Sequence, residues 1–357
     1  MEEKKQYKTA LPEKEPIPSA QAPEALLDIR GLRVEYHTDE DVVYAVNGLD
    51  LTIGKGESLG LVGETGAGKT TTALSVLRLI ADPPGMIMGG EIWFEGEDML
   101  QAKPARLREI RGSKISVIFQ DPMTSLNPVY SVGDQIAEVI HQHEKCSKEE
   151  GRRKAGDMLE MVGIPRARYD EYPHQFSGGM KQRVVIAMSI ACSPELILAD
   201  EPTTALDVTI QAQVLELMNE LKEKLRTSLL LITHDLGVVA QVCDRVAIMY
   251  AGEIVESGTI AEVFDHPHHP YTIGLFGSIP SLDETAEKLK PIQGQMPDPT
   301  ELPEGCAFAP RCPYATEACR TRKPEMTGVG GTQMVRCLAH QGVFESPELM
   351  EEVRHGR

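Results

Sequence analysis

No stretch of this chain approaches the roughly 18 apolar residues that a bilayer-spanning helix needs. The longest apolar stretches, such as Leu229 to Ile232 and Leu196 to Ala199, fall far short, so any membrane role must be peripheral. The N-terminus, MEEKKQYKTALPEKEPIPSAQAPEA, lacks the apolar segment of a signal peptide and carries charge and four prolines. Residues 1–25 therefore read as a solvated, disordered tail, and export is not expected. Positive charge is scarce as well. Lys and Arg number 36 against 54 Asp and Glu, and the net charge of −18 repels phosphate backbones, which argues against a general nucleic-acid binder. These features fit a soluble cytoplasmic protein. The chain also has no internal repeat.

What is present is length and alternation. The 357 residues allow one large domain with a sizeable core plus a smaller appendage. From Leu27 to about Phe264, short β-rich runs (LLDIRGLRVEY, AVNGLDLTI, SLGLVG, ISVIF, LILAD, LLLITH, RVAIMY) alternate with segments of helical period. This predicts an α/β domain over residues 26–266 with a mainly parallel, buried core sheet. The first runs alternate apolar and polar residues around a turn at Asp39 to Asp41 and read as an antiparallel β subdomain. Val132 to Val162 has few Gly or Pro and helical spacing broken near Lys145 to Ser147, which predicts a helical insertion within about 130–180. Beyond Pro267, Pro and Gly become frequent and periodicity fades, marking a separate extension over 267–340 and a tail over 341–357.

Gly63-Glu64-Thr65-Gly66-Ala67-Gly68-Lys69-Thr70 matches G-x-x-x-x-G-K-[ST], after a strand and before a helix. In such a loop the glycines let backbone N–H groups crowd around phosphates at a helix N-terminus. Lys69 is expected on the β and γ phosphates, Thr70 on Mg²⁺, and Thr71 completes the set. A Gly-rich turn before a helix is the bland alternative. Leu196 to Glu201 is an apolar strand ending in two acids, where Asp200 suits the Mg²⁺ shell and Glu201 the attacking water, against the reading of a solvated strand end. Before that strand lies Phe176-Ser177-Gly178-Gly179-Met180, which taken alone is a helix cap.

Taken with the P-loop, the set resembles the ABC ATPase family. Its LSGGQ signature appears as FSGGM, with Phe176 and Met180 replacing Leu and Gln while Ser177, Gly178 and Gly179 are intact. Gln120 stands as the Q-loop and second Mg²⁺ residue, Ala205-Leu206-Asp207 as the D-loop, and His234 as the switch histidine sensing the γ-phosphate. The base-stacking aromatic of the family falls on Tyr36, with Tyr44 as competitor and an ordinary strand tyrosine as the plain reading. The resemblance implies ATP held between the P-loop of one domain and the signature of another. This chain carries one set, so a second ATPase subunit is required; with Glu201 and His234 present, its own site is expected to be catalytic.

His269-Pro270-Tyr271-Thr272, Pro291-Ile292-Gln293-Gly294 and Gly305-Cys306-Ala307-Phe308-Ala309-Pro310-Arg311-Cys312-Pro313 resemble the C-terminal extension of oligopeptide and dipeptide importer ATPases, whose close relatives handle nickel or glutathione. That resemblance implies two membrane permease subunits, a second ATPase, either a second copy or, as relatives often have it, a paralogue, and an extracytoplasmic peptide-binding protein, with this subunit on the cytoplasmic face. DPMTSLNPVY, residues 121–130, would form the groove for the permease, or simply a polar loop. Cys306, Cys312, Cys319 and Cys337 follow C-x5-C-x6-C-x17-C; in a reducing cytosol four soft ligands suggest metal before disulfides. Members of the resembled subfamily carry a [4Fe-4S] cluster here, which is the expectation, with zinc or free thiols as alternatives. Pro310, Arg311 and Pro313 would fix the loop presenting two of the ligands. A soluble ABC ATPase acting on ribosomes or DNA is the rival reading, set against a single cassette, no coiled coil and strong acidity. A metal-sensing regulator leaves the hydrolytic residues unexplained.

Overall fold

The computed structural model describes residues 25–204, 206–278 and 291–355. Two sheets organise them. The first is antiparallel, in the order β2 (Val42–Gly54), β1 (Ala25–His37), β4 (Gly85–Phe94), β5 (Glu97–Asp98). The turn between β1 and β2 is closed by Thr38, whose N–H donates to the Asp41 carbonyl at 3.0 Å and whose hydroxyl accepts the Asp41 N–H at 3.0 Å. Alternation in β1 sends Leu27, Ile29, Leu32 and Val34 inward, as a sheet with one buried face requires.

The second sheet has eight strands, ordered β11 (Thr327–Gly330), β12 (Gln333–Val335), β10 (Glu253–Thr259), β9 (Arg245–Tyr250), β3 (Ser58–Val62), β8 (Ser228–Thr233), β7 (Leu196–Asp200), β6 (Ile115–Ile118). From β9 to β6 the neighbours run parallel. Strands β3, β7 and β8 are buried along their whole length, which is why they read as continuous apolar runs. Their side chains alternate between two cores. Leu196, Leu198, Leu230 and Ile232 face the antiparallel sheet, while Ile197, Ala199, Leu229 and Leu231 face the helices.

The insertion is a pair of helices, Val132–His143 and Lys148–Met161, started by Ser131 and Ser147, whose hydroxyls accept the N–H groups of Asp134 and Glu150. Among the described residues no helix is long and apolar enough to cross a membrane.

The described residues of the extension do not stand apart from the core sheet. Strand β12 pairs with β10, Glu256 opposite Val335, so the extension continues the ATPase sheet. Its root is the buried Glu256 carboxylate, which accepts the N–H groups of His268 (2.7 Å) and His269 (2.9 Å) and the Gln333 amide (2.8 Å). Burial pushes this carboxyl up to about 7 even against those donors. His269 is also buried, which keeps its ring neutral, and its Nδ1 accepts the Tyr271 N–H at 3.1 Å to start the helix Pro270–Gly277.

Candidate nucleotide site

The site forms where the C-terminal ends of three parallel strands come level. Val62 of β3 pairs with Thr233 of β8, and Asp200 of β7 with Ile232. The next residues, Gly63, Glu201 and His234, therefore emerge along one edge of the sheet, the crevice where parallel α/β sheets bind ligands.

The Gly63–Gly68 loop leads into the helix Lys69–Val76. Gly68 has φ 101°, and a Cβ there would lie 2.3 Å from the Ala45 carbonyl; one on Gly63 would lie 2.2 Å from the Met249 carbonyl. Only glycine fits where the loop presses against β2 and β9. Thr65 and Gly66 are exposed at the loop's crest and Ala67 is buried beneath it. Lys69 is buried and folds back over the loop, its Nζ donating to the carbonyls of Gly63 (2.6 Å) and Glu64 (3.0 Å). Desolvation lowers its pKa, while Glu201, Asp200 and Glu64 pull it back up. The result is a fixed cation at a helix N-terminus, an arrangement for phosphate.

Thr70 donates to the Asp200 carboxylate at 2.8 Å. These two oxygen donors fit Mg²⁺, which takes one or two protein ligands together with substrate phosphates. Burial raises the Asp200 carboxyl, against the Thr70 bond and Lys69. Glu201 sits in the left-handed region, φ 45°, its N–H tied to the Ile232 carbonyl at 2.8 Å. Its carboxylate accepts from Thr204 Oγ1 (2.8 Å) and Gln120 Nε2 (3.0 Å) and meets His234 Nδ1 at 3.1 Å. Burial would raise this carboxyl, but Thr204, His234 and Lys69 outweigh it and hold it below the usual range. It therefore stays an anion and an acceptor, as a group that orients water must. Gln120 thus stands on Glu201 rather than on the Thr70–Asp200 pair.

Tyr36 shares a hydrogen bond with Thr71 at 3.2 Å, which places it beside the first turn of the P-loop helix. Tyr44 is on the outer part of β2, and its N–H is taken by the Pro299 carbonyl at 2.9 Å.

Two family models match this chain: the ABC transporter family at residues 46–204, and the oligopeptide/dipeptide transporter C-terminal region at 255–319. The chain is 51% identical over 332 residues to the oligopeptide transport ATP-binding protein OppD of Bacillus subtilis (strain 168), covering 91% of this chain and 93% of that protein. The chain belongs to the oligopeptide/dipeptide-type ABC transporter ATP-binding proteins. The protein of the same name in Haemophilus influenzae is 48% identical, covering 87% of this chain and 96% of the relative. Among solved structures, the dimeric ATP-binding cassette MJ0796 bound to ADP and Pi superposes with TM-score 0.59 at 27% identity, covering 66% of this chain and 98% of that one.

In this ABC ATPase the signature residues are not gathered with the P-loop. Ser177 starts the helix Gly178–Ile190, its hydroxyl accepting the Met180 N–H at 3.4 Å. Among the described residues, Ser177, Gly178 and Gly179 make no hydrogen bond to the P-loop, Asp200, Glu201 or His234. Gly179 is pressed on Ile210, where a Cβ would lie 2.3 Å from its methyl. The two departures from LSGGQ share one partner: Arg168 lies over the Phe176 ring at 4.2 Å and reaches the Met180 sulfur at 3.2 Å. Of the D-loop, Ala205 lies outside the described residues, and Asp207 starts the helix Val208–Leu225.

The cysteines differ from expectation. All four are free and line one small cavity together with Phe308, Tyr314, Leu338, Phe344 and Leu349. Yet among the described residues no three His, Cys, Asp or Glu side chains stand in an arrangement that could hold a metal ion. The sulfurs pack instead as small apolar groups. Cys319 joins Ala309 and Leu338 in a local core and sits 3.5 Å from the Thr316 hydroxyl, and burial pushes the Cys306 and Cys312 thiols up to about 11 and 12.

The sequence reading also missed residues that touch the site. Thr204 on Glu201 had a weak signal, a hydroxyl three places beyond the acid. Tyr271, whose hydroxyl accepts the Glu64 N–H at 3.0 Å, and Arg311, which grips the Glu64 carboxylate, had none, since they come from the far extension.

Proposed function

We infer that this protein binds and hydrolyses ATP as the motor subunit of an importer for oligopeptides or dipeptides. One observation carries the chemistry: Glu201, ionised and held by Thr204, Gln120 and His234, stands level with a P-loop whose lysine is fixed. In this reading the P-loop and Lys69 hold the phosphates, Tyr36 stacks on the base, Glu201 orients the attacking water and His234 steadies it. Mg²⁺, when bound, would be held by Thr70 and Asp200 and would offset phosphate charge.

The peptide assignment is supported by the match at residues 255–319 and by the names of the relatives. A second ATPase subunit, read as a paralogue, would supply its signature across the nucleotide; the exposed Thr65 and Gly66 at the loop's crest and the dimeric cassette among the solved structures support a second subunit there. Two permease subunits and an extracytoplasmic peptide-binding protein complete the proposed complex, with this subunit on the cytoplasmic face of the membrane. For the permease contact, Phe119, Thr124, Ser125, Val139, His143 and Met188 help line a cavity of about 650 Å³, and Phe119 is 48% and Tyr130 54% exposed. When the subunit is co-purified with its permeases and the binding protein, a peptide is expected to raise ATPase activity several-fold. Stimulation by nickel or glutathione and by no peptide would overturn the peptide reading.

An iron–sulfur cluster at Cys306, Cys312, Cys319 and Cys337 is the finer part of this proposal; four free thiols line a single cavity, and binding would have to draw them out of their apolar packing into a ligand set that the structure does not itself form. Protein purified anaerobically is expected to carry about four irons with acid-labile sulfide per chain. A colourless preparation without iron would leave the four cysteines as apolar packing, and one loaded with zinc would replace the cluster by a zinc site.

A further inference from the structure

The extension reaches the nucleotide loop and the neighbouring strand β2 at several points. Tyr271 takes the Glu64 N–H, the Met296 methyl lies 3.2 Å from where a Cβ on Gly66 would stand, and Pro299 holds the backbone of Tyr44. The strongest contact is Arg311. Its Nη1 donates to both carboxylate oxygens of Glu64, at 3.0 and 3.1 Å, and lies 3.4 Å from the Tyr250 hydroxyl, while its Nε donates to the Gln293 carbonyl at 3.1 Å. The guanidinium is also flanked by the rings of Tyr250 and Phe308, at 5.8 and 5.9 Å, and the side chain is only 6% exposed.

This pair is not an ordinary surface ion pair. Glu64 is part of the loop that must accept a polyphosphate, and its carboxylate is close enough to Lys69 to act on that amine. An uncompensated carboxylate there repels the ligand and competes for the phosphate-binding lysine. Arg311, whose Nη1 bridges both carboxylate oxygens and whose guanidinium is held by aromatic rings, cancels that charge and fixes the direction of the residue after Gly63. Its backbone lies between Phe308 and Cys312, so the cysteine-bearing loop and the nucleotide loop share one rigid contact.

We propose that Arg311 is a positioning residue for ATP binding: it neutralises and orients Glu64, so that the phosphate loop is complete only when the C-terminal extension is docked. The proposal rests on the ATPase reading above. Its test is the affinity of the full-length subunit for a fluorescent ATP analogue, together with the KM and kcat of ATP hydrolysis. R311A is expected to weaken analogue binding and raise KM about tenfold, with kcat changed less than about twofold. R311K, which keeps the charge but loses the Nε bond to Gln293 and the planar group set between the two rings, is expected to fall between. The double variant E64Q/R311A, in which there is no charge left to neutralise, is expected to return to within about threefold of the parent. Unchanged affinity in a folded R311A protein would overturn the proposal. So would a loss that E64Q does not rescue, since this would make Arg311 a packing residue only. A parent protein that binds no ATP analogue would instead sink the ATPase reading.

Discussion

Replacing Glu201 by Gln is expected to lower ATP turnover by about 10²–10⁴-fold, a barrier increase of roughly 2.7–5.4 kcal/mol, while leaving ATP binding intact. The side chain keeps its length, so one oxygen still accepts from Thr204 or His234. What disappears is the anion proposed above to accept from the nucleophilic water. Removing a negative charge beside Lys69 should, if anything, tighten nucleotide binding, because Glu201 is the largest electrostatic influence on that amine. Single-turnover hydrolysis measured alongside equilibrium binding separates the two effects. Unchanged hydrolysis would remove Glu201 from its assigned role, and the Thr204–Gln120–His234 arrangement would then be structural.

Lys69→Ala is expected to do the opposite: nucleotide affinity falls by about 10²–10³-fold, roughly 2.7–4 kcal/mol, before any question of turnover arises. The Lys69 ammonium lies among Glu64, Asp200 and Glu201. Without it the three carboxylates face an incoming polyphosphate with the ammonium among them removed. The two loop carbonyls of Gly63 and Glu64 also lose their donor. Lys69→Arg should not rescue binding, since a planar fork cannot take the place of a compact ammonium in a buried slot. Isothermal titration with ATP, with a thermal melt to confirm folding, decides the matter. Affinity within threefold of the parent would show that phosphate is held elsewhere.

The contrast between these variants also bears on the extension. Lys69 and Arg311 both offset acids around one loop, but Lys69 lies inside the motif and Arg311 comes from 247 residues away along the chain. Strand β12, paired on β10, anchors the extension to the same sheet that carries the P-loop. A change in the cysteine-bearing loop therefore has a short physical path to the nucleotide.

The sequence by itself determined whatever depends on neighbours along the chain. The P-loop, the strand ending in Asp200 and Glu201, the histidine closing LLLIT and the helix cap at Ser177 are local patterns, because loop geometry, strand burial and capping are set within a few residues. Even so, the cap reading of Ser177 and its signature reading are compatible in the structure, since a helix start is what exposes those N–H groups. Only the tertiary structure decided matters of register and long-range contact. It levels Val62, Asp200 and Thr233 so that three separate strand ends make one site. It moves Gln120 onto Glu201 and shows Tyr36, not Tyr44, beside Thr71. It lines a cavity with the four cysteines without arranging them as ligands, and it sends Arg311 to Glu64. Spacing along a Pro-rich chain does not specify sulfur-to-sulfur geometry, and a lone arginine carries no mark of its distant partner. Both are fixed by how the extension packs on a sheet whose strands come from everywhere in the sequence.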